Sequence, residues 1–338
     1  MKQIVFYFLI LLIYSCSNES GNSVIDSTDT GTGYQWVIPA GTITGSFNLF
    51  PLAQNPTFSK VSDVNFLSDD ALVAMISFNN EIRVYPYQYI STYESVNDII
   101  DGKNISMTYC PITKSALCWN TNFKGEDFVI RASGYLLNDN VVFYDEQSDT
   151  YWSQMLTSSI KGKYAKQDNE TFNFIETTWK TVKNYFKDAL VFTNTSIDNT
   201  SSSINKIAVK DFEVGESVYG IINKRPKTSS EIHIFKYNEF ENEIKIYQTR
   251  VNVGGNVIVI GSNEHHFITS FIKDNNTIYT ALQGSFPIVM EDDNGNQWDL
   301  FGMAVSGPNK GHQLESPVGF VALGWAWKAF YSDFVFNE

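Results

Sequence analysis

The run Thr108-Tyr109-Cys110-Pro111 sets a thiol at the end of an apolar, strand-like stretch and at the start of a turn. A cysteine so placed has the chemistry of a nucleophile, a metal ligand or a redox centre, because the thiolate serves all three. Upstream, Glu94, Asn97 and Asp98 stand at i, i+3 and i+4. On a helix that spacing gathers two carboxylates and an amide on one face. Asp145 closes a strand-like run, Val141 to Tyr144, and adds a third carboxylate. Cys110, Glu94, Asn97, Asp98 and Asp145 are therefore the candidates for a small-ligand or metal pocket. Plainer roles stand beside these: Ser91 and Glu94 spell a capping box, in which the Glu94 carboxylate bonds back to the Ser91 backbone, and Asp98 fits a solvated face.

Other residue sets complete no site. His265 and His266 are adjacent, which on a strand sends them to opposite faces, and His233 and His312 stand alone in the sequence. No Gly-x-Ser-x-Gly elbow occurs for hydrolase chemistry. Asp292-Asp293-Asn294-Gly295-Asn296 begins like a calcium loop but lacks its closing Glu. Asn-Gly is a hairpin signal, and a type I′ turn is the expectation there. A hairpin around Thr113-Lys114 sets Cys110 opposite Ser115, which disfavours a disulfide to Cys118; Cys118, between Leu117 and Trp119, reads as core.

Positioning these residues requires strands above all. Short β-type runs, Leu72 to Phe78, Ile82 to Tyr87, Ile105 to Cys110, Phe128 to Ala132 and Val141 to Tyr144, are punctuated by Gly, Asn and Asp. Two helices are expected: one follows the Ser91 capping box, with Tyr93, Val96, Ile99 and Ile100 at helical spacing until Gly102, and one carries Trp179, Val182, Tyr185 and Phe186. The class is β-rich α+β. An order of strand, acidic turn, Trp, Gly and aromatic helix occurs twice, through Val141–Asp145, Trp152, Gly162 and Trp179, and through Phe286–Met290, Trp298, Gly307 and Trp327. It implies a degenerate duplication with halves at 47–200 and 201–338, joined by the polar stretch Asn194 to Asn205, and with Trp152 matching Trp298 and Trp179 matching Trp327.

As a set, Tyr93-Glu94-Ser95-Val96-Asn97-Asp98, Thr108-Tyr109-Cys110-Pro111-Ile112, Gly134-Tyr135-Leu136-Leu137 with its following Asn, and Asp145 through Trp152-Ser153-Gln154 make the chain resemble the bacterial and archaeal family known as domain of unknown function 3179. Trp298, Gly307-Pro308, Gly311, Leu314 and Trp327 extend the resemblance over most of the chain. The sequence departs from the family pattern at Tyr93, where His is frequent, at Ile112 for Leu, at Lys114 for Gly, and at Ser148 and Thr150, which are exchanged relative to the usual Thr and Ser. The resemblance implies relatedness and fold; it carries no assigned activity.

The N-terminus says where the domain works. Lys2 precedes an apolar run from Ile4 to Ile13, and Leu12-Ile13-Tyr14-Ser15-Cys16 resembles a bacterial lipobox. Residues 1–15 read as a signal peptide too short to span a bilayer, Cys16 as the lipidated residue, and 16–46 as a flexible tether poor in apolar residues. The expected location is the cell envelope, at the outer membrane or a periplasmic or extracellular face, with the membrane as partner through the lipid on Cys16. A formal charge of −13 and the lack of any Lys/Arg cluster argue against nucleic acid. Asn-x-Ser/Thr sites at Asn104 and Asn194 carry no weight in a bacterial envelope. Three functions stay open: binding of a small molecule or metal ion near a solvent-reachable Cys110, a thiol-dependent enzyme using Cys110, or a non-catalytic surface interaction protein.

Overall fold

The computed structural model describes residues 33–79, 81–197, 216–224, 230–252, 255–274 and 276–336. The signal peptide, Cys16, the beginning of the tether and residues 198–205 of the connector lie outside the described residues. The chain from Gly33 onward is one compact body, β-rich, made of several mainly antiparallel sheets and a few short helices.

The first departure from the sequence reading falls on the candidate residues. The helix there is a single turn, Tyr87–Ile90, and Ser91 is its C-terminal cap. The Ser91 hydroxyl bonds the Gln88 carbonyl, so there is no capping box, and the chain reverses through Glu94, whose φ is +60°. Ser95–Ile100 is then a strand, paired residue by residue with Lys103–Cys110. The reason is Asp101-Gly102. Both residues take positive φ, the signature of a two-residue type I′ hairpin, and that local signal prevails over the helical spacing of Val96, Ile99 and Ile100. Val96 and Ile100 enter the core, whereas Ile99 points to solvent.

Lys103–Cys110 continues into Ser115–Asn120, with Cys110 opposite Ser115 as the hairpin reading expects, and Cys110 and Cys118 are free thiols. The four-residue turn ends at Lys114 with φ of +49°. A second meander runs Arg131–Leu137, Asn140–Asp145, Thr150–Ser153 and Ser158–Lys161. Ile43–Gly45 pairs along its edge, and Trp36, Val37, Ile38 and Ile43 pack on its face. Residues 36–45, counted with the 16–46 tether on composition, thus belong to the folded body: aromatic partners Tyr135 and Tyr151 and the buried Lys161 ammonium enclose Trp36.

Beneath these meanders lies a five-stranded sheet in the order Ile175–Thr178, Leu72–Phe78, Glu81–Pro86, Leu190–Ile197, Ala53–Lys60, in which Glu81–Pro86 and Leu190–Ile197 are parallel. Trp179–Tyr185 is the expected second helix; the Thr178 hydroxyl caps it by accepting from the Thr181 N–H. Later in the chain a four-stranded sheet runs Gly319–Leu323, Ser217–Asn223, Glu231–Lys236, Asp333–Phe336, with the last two parallel. Lys245–Val251, Gly255–Ser262 and Phe267–Ile272 form a meander, and Tyr279–Ala281, Ile288–Asp292, Gln297–Asp299 and Ala304–Ser306 another.

The Asp292 turn is a hairpin connection, but only Gly295 has positive φ, so it is not type I′. Asp292 accepts from the Asn294 and Asn296 amides, the Asn296 side chain and Trp298 Nε1, which occupies the acceptor sites a calcium ion would need. The expected match of Trp179 to Trp327 also fails in detail: Trp179 opens its helix, whereas Trp327 is the fourth residue of Gly324–Phe330. Two large apolar clusters fill the interior, and each draws on both ends of the chain. Tyr85, Met107 and Trp152 share one with Phe320 and Trp327; Val73 and Trp179 share the other with Ile258 and Trp298.

Candidate functional site

The five candidate residues do not converge. On a strand, Asn97 and Asp98 face opposite sides, and the structure uses them differently. The Asn97 side chain donates to the Ala53 and Ile130 carbonyls and accepts from the Ile130 N–H, which satisfies the amide completely and braces neighbouring strands. Asp98 accepts from Arg83, the Tyr85 hydroxyl and the Ile99 N–H. Asp145 stands at the end of its strand and accepts from the Gln147 N–H and the Ser148 hydroxyl, an Asx turn.

Glu94 and Cys110 do come together. Both are buried, and the nearby Glu94 carboxyl influences the thiol directly. Burial pushes the Cys110 thiol up and the carboxyl adds to it by repulsion; hydrogen bonds from Thr113 and the Val141 backbone oppose the rise. Burial likewise raises the Glu94 carboxyl far above the usual carboxylate range. Among the described residues no cation favours the charged form of either group, so the pair is held neutral. Cys110 is 1% exposed, which overturns the expectation of a solvent-reachable thiol, and Sγ–H points at the Asp139 carbonyl. Among the described residues, no group of three His, Cys, Asp or Glu side chains is arranged to hold a metal ion.

What surrounds the thiol is a buried polar network that draws in the spelling-matched segments. Asn140 Nδ2 lies 2.9 Å from Thr113 Oγ1, 3.1 Å from Ser115 Oγ and 3.1 Å from Gln154 Oε1. Gln154 Nε2 donates to Thr108 Oγ1, which also accepts from Trp119 Nε1. These residues come from three strands, the turn after Cys110 and the turn after Ser153, so their side-chain bonds fix the relative register of two meanders. Such a network specifies one packing, because any slip would leave several buried donors unpaired.

On the far side of Ser95–Ile100 lies an open cleft of about 540 Å³. Arg83 forms part of its lining. The guanidinium sits 4.6 Å over the Phe58 ring and is bonded to both Glu81 and Asp98. Asn104, Thr121, Asp127, Phe128 and Gln147 complete the walls. Thr121 is 2% exposed and its hydroxyl has no hydrogen-bond partner among the described residues. Of the sequence candidates only Asn97 and Asp98 touch this cleft. Arg83 and Thr121 carry no spelling that would have singled them out.

One further buried carboxyl escaped the sequence reading. Glu176 accepts from Tyr87 at 2.8 Å and from Tyr237 at 3.3 Å, and Tyr87 stacks on Tyr109 with ring centroids 4.2 Å apart. Burial raises its pKa to about 7 against the opposing effect of the two phenols. A strand spelled Ile-Glu-Thr-Thr gives no hint that its Glu faces inward. His265 and His266 lie in the turn between Gly255–Ser262 and Phe267–Ile272 and not on a strand; His266 stacks on Tyr237, while His233 bonds Thr249 and Glu231.

The family model described as "Protein of unknown function (DUF3179)" matches residues 48–334, nearly all of the described body. No curated protein and no solved structure matches the chain.

Proposed function

For a chain that belongs to the DUF3179 family, we propose the function of a lipid-anchored envelope protein that binds a small molecule, with the ligand in the cleft beside Asp98 and not at Cys110. The observation that carries this reading is the cleft itself. Its volume of about 540 Å³ lies in the range of small-molecule sites, and its lining is mainly polar, with Phe58, Phe128 and Val129 among its apolar edges. A thiol-dependent enzyme is less well supported. A nucleophilic thiolate requires a lowered pKa and access, and Cys110 has neither. Burial of Cys110 alone fits a non-catalytic interaction protein equally well; the cleft tips the choice toward ligand binding.

The test is a fragment screen by ligand-observed NMR on the full-length protein in detergent. Fragments should bind competitively and be lost on Asn104→Trp, which fills the cleft, while Asn294→Trp in the second half leaves them. Hits indifferent to Asn104→Trp, or no hits, would end the proposal. The anchor is tested separately, by mass spectrometry of protein extracted from membranes. An acylated Cys16 with nothing preceding it is expected, and an unmodified N-terminus further on would remove the lipoprotein reading. No helix among the described residues is long and apolar enough to cross a membrane.

The same proposal includes a degenerate duplication of halves near 47–200 and 201–338. What supports it is topology rather than spelling. Four strands of one sheet, 175–178, 72–78, 81–86 and 190–197, and the four of the other, 319–323, 217–223, 231–236 and 333–336, follow the same pairing pattern, with the third pair parallel in each; the first sheet then adds Ala53–Lys60 antiparallel. Trp152 and Trp298 both follow a register shift in their strand pairs. Asp145 and Asp292 each accept from the backbone two residues on. Aligning the halves of other family members with one another should match Asp145 to Asp292 and Trp152 to Trp298; failure to do so across the family would sink it.

A further inference from the structure

We infer that the cleft takes a neutral, hydroxyl-rich small molecule, of the class of sugars and polyols, and that Thr121 and Asn104 select it. The inference deepens the ligand-binding proposal and rests on it. The argument begins with what the charged groups in the cleft are already doing. Arg83 is committed to Glu81 and Asp98, and Asp98 also receives Tyr85 and the Ile99 N–H. Asp127 receives the Asn122 amide. An anionic ligand would have to displace one of the carboxylates from Arg83, and it would approach a protein of net charge −13. A cationic ligand would have to take Asp98 from a guanidinium and a buried phenol. Removing one partner from a buried charge pair costs several kcal/mol, more than a small ligand readily returns.

The groups without protein partners are of another kind. Thr121 offers a hydroxyl from a residue that is almost wholly buried, and the Asn104 and Gln147 side-chain amides have no hydrogen-bond partner among the described residues. A hydroxyl and two amides present donors and acceptors together, which is what a ligand bearing several hydroxyl groups needs, since each hydroxyl both donates and accepts. Thr121 and Asn104 are also held in fixed relation, because the Thr121 N–H bonds the Asn104 carbonyl at 3.0 Å. The backbone that carries the two side chains is therefore fixed, and binding has only their polar ends to order. Phe58 and Phe128 supply the apolar surface against which the C–H faces of a ring pack. Phe128 is itself pinned by stacking on Trp152 at 5.8 Å, so contact at its free edge should be read by the indole fluorescence.

The experiment titrates the full-length protein with glucose, N-acetylglucosamine, maltose, cellobiose and myo-inositol, and in parallel with citrate, spermidine and glutamate, by saturation-transfer NMR and calorimetry. At least one neutral polyol should bind saturably. Thr121→Val and Asn104→Ala should each weaken it about tenfold, the loss of one or two hydrogen bonds, with the melting temperature unchanged as the check that the fold survives. If only charged probes bind, and Asn104→Trp abolishes that binding, the ligand class is wrong although the cleft is a site. If no probe binds and fragment hits ignore Asn104→Trp, the ligand-binding proposal itself fails. Polyol binding that is indifferent to both Thr121→Val and Asn104→Ala overturns the assignment of the selecting residues.

Discussion

Cys110 is held as a neutral thiol by burial, by the Glu94 carboxyl and by a hydrogen bond to the Asp139 carbonyl. Alkylation of the native protein with iodoacetamide at pH 7.5 should therefore be slow, insensitive to chelator, and accelerated by unfolding. Fast native labelling at Cys110, mapped by peptide mass spectrometry, would contradict this. Cys110→Ser should destabilise by about 1–3 kcal/mol, because a hydroxyl is costlier to bury than a thiol, and should leave ligand binding at the cleft untouched. At this scale the sequence was informative in a particular way. Its family spelling ran through Thr108, Cys110 and Gln154, and the structure does gather them, but in a polar brace around a sulfur and not as an exposed site; Asn140, at the centre of the brace, was not singled out. Apart from Asn97 and Asp98, the residues that line the cleft were silent because nothing about a Thr or an Arg in the sequence says whether its partners are already taken; Asn104 drew notice only as part of a glycosylation spelling.

Among the elements, the Ser95–Ile100 strand decides where every candidate residue points, and one hairpin turn decides that it is a strand. Gly102 has φ of +72° with open space where a Cβ would go, so Gly102→Ala should cost only the conformational penalty, about 1 kcal/mol, measurable by urea denaturation. Gly162 has φ of +104°, and a Cβ there would stand 1.9 Å from the Asp149 carbonyl. Gly162→Ala should therefore be far more damaging; equal effects at the two sites would refute this account. The capping-box spelling misled because Ser-x-x-Glu and helical apolar spacing are both short-range signals, and Asp-Gly at the end of the same segment is another. Which of them prevails is settled by the partner strand, Lys103–Cys110, and pairing across the turn supplies hydrogen bonds that a short isolated helix lacks. Where the local signals agreed, as in Leu72–Phe78 and Trp179–Tyr185, the elements were legible in the sequence.

Over the whole molecule, Glu176 ties distant parts of the chain through Tyr87 and Tyr237, and its proton is part of the tie. The carboxyl's pKa is about 7 folded against about 4.5 unfolded, so the folded state binds the proton more tightly. The stabilisation it brings is complete below the unfolded pKa and is lost as pH rises through about 7. Charged and polar neighbours here are Tyr87, Tyr237, Tyr109 and Lys114. Glu176→Gln should flatten the fall in stability between pH 5 and 8 by an amount on the order of 3 kcal/mol, read as urea midpoints across that range. A variant whose pH profile parallels the parent would refute the role. The mixed membership of the apolar clusters has a consequence for how the chain is made. Synthesis runs from the N-terminus, so Tyr85, Met107 and Trp152 are exposed long before Phe320 and Trp327 exist to cover them. The first half therefore stays incomplete until nearly the last of these residues emerge, and until then its uncovered apolar face is open to aggregation.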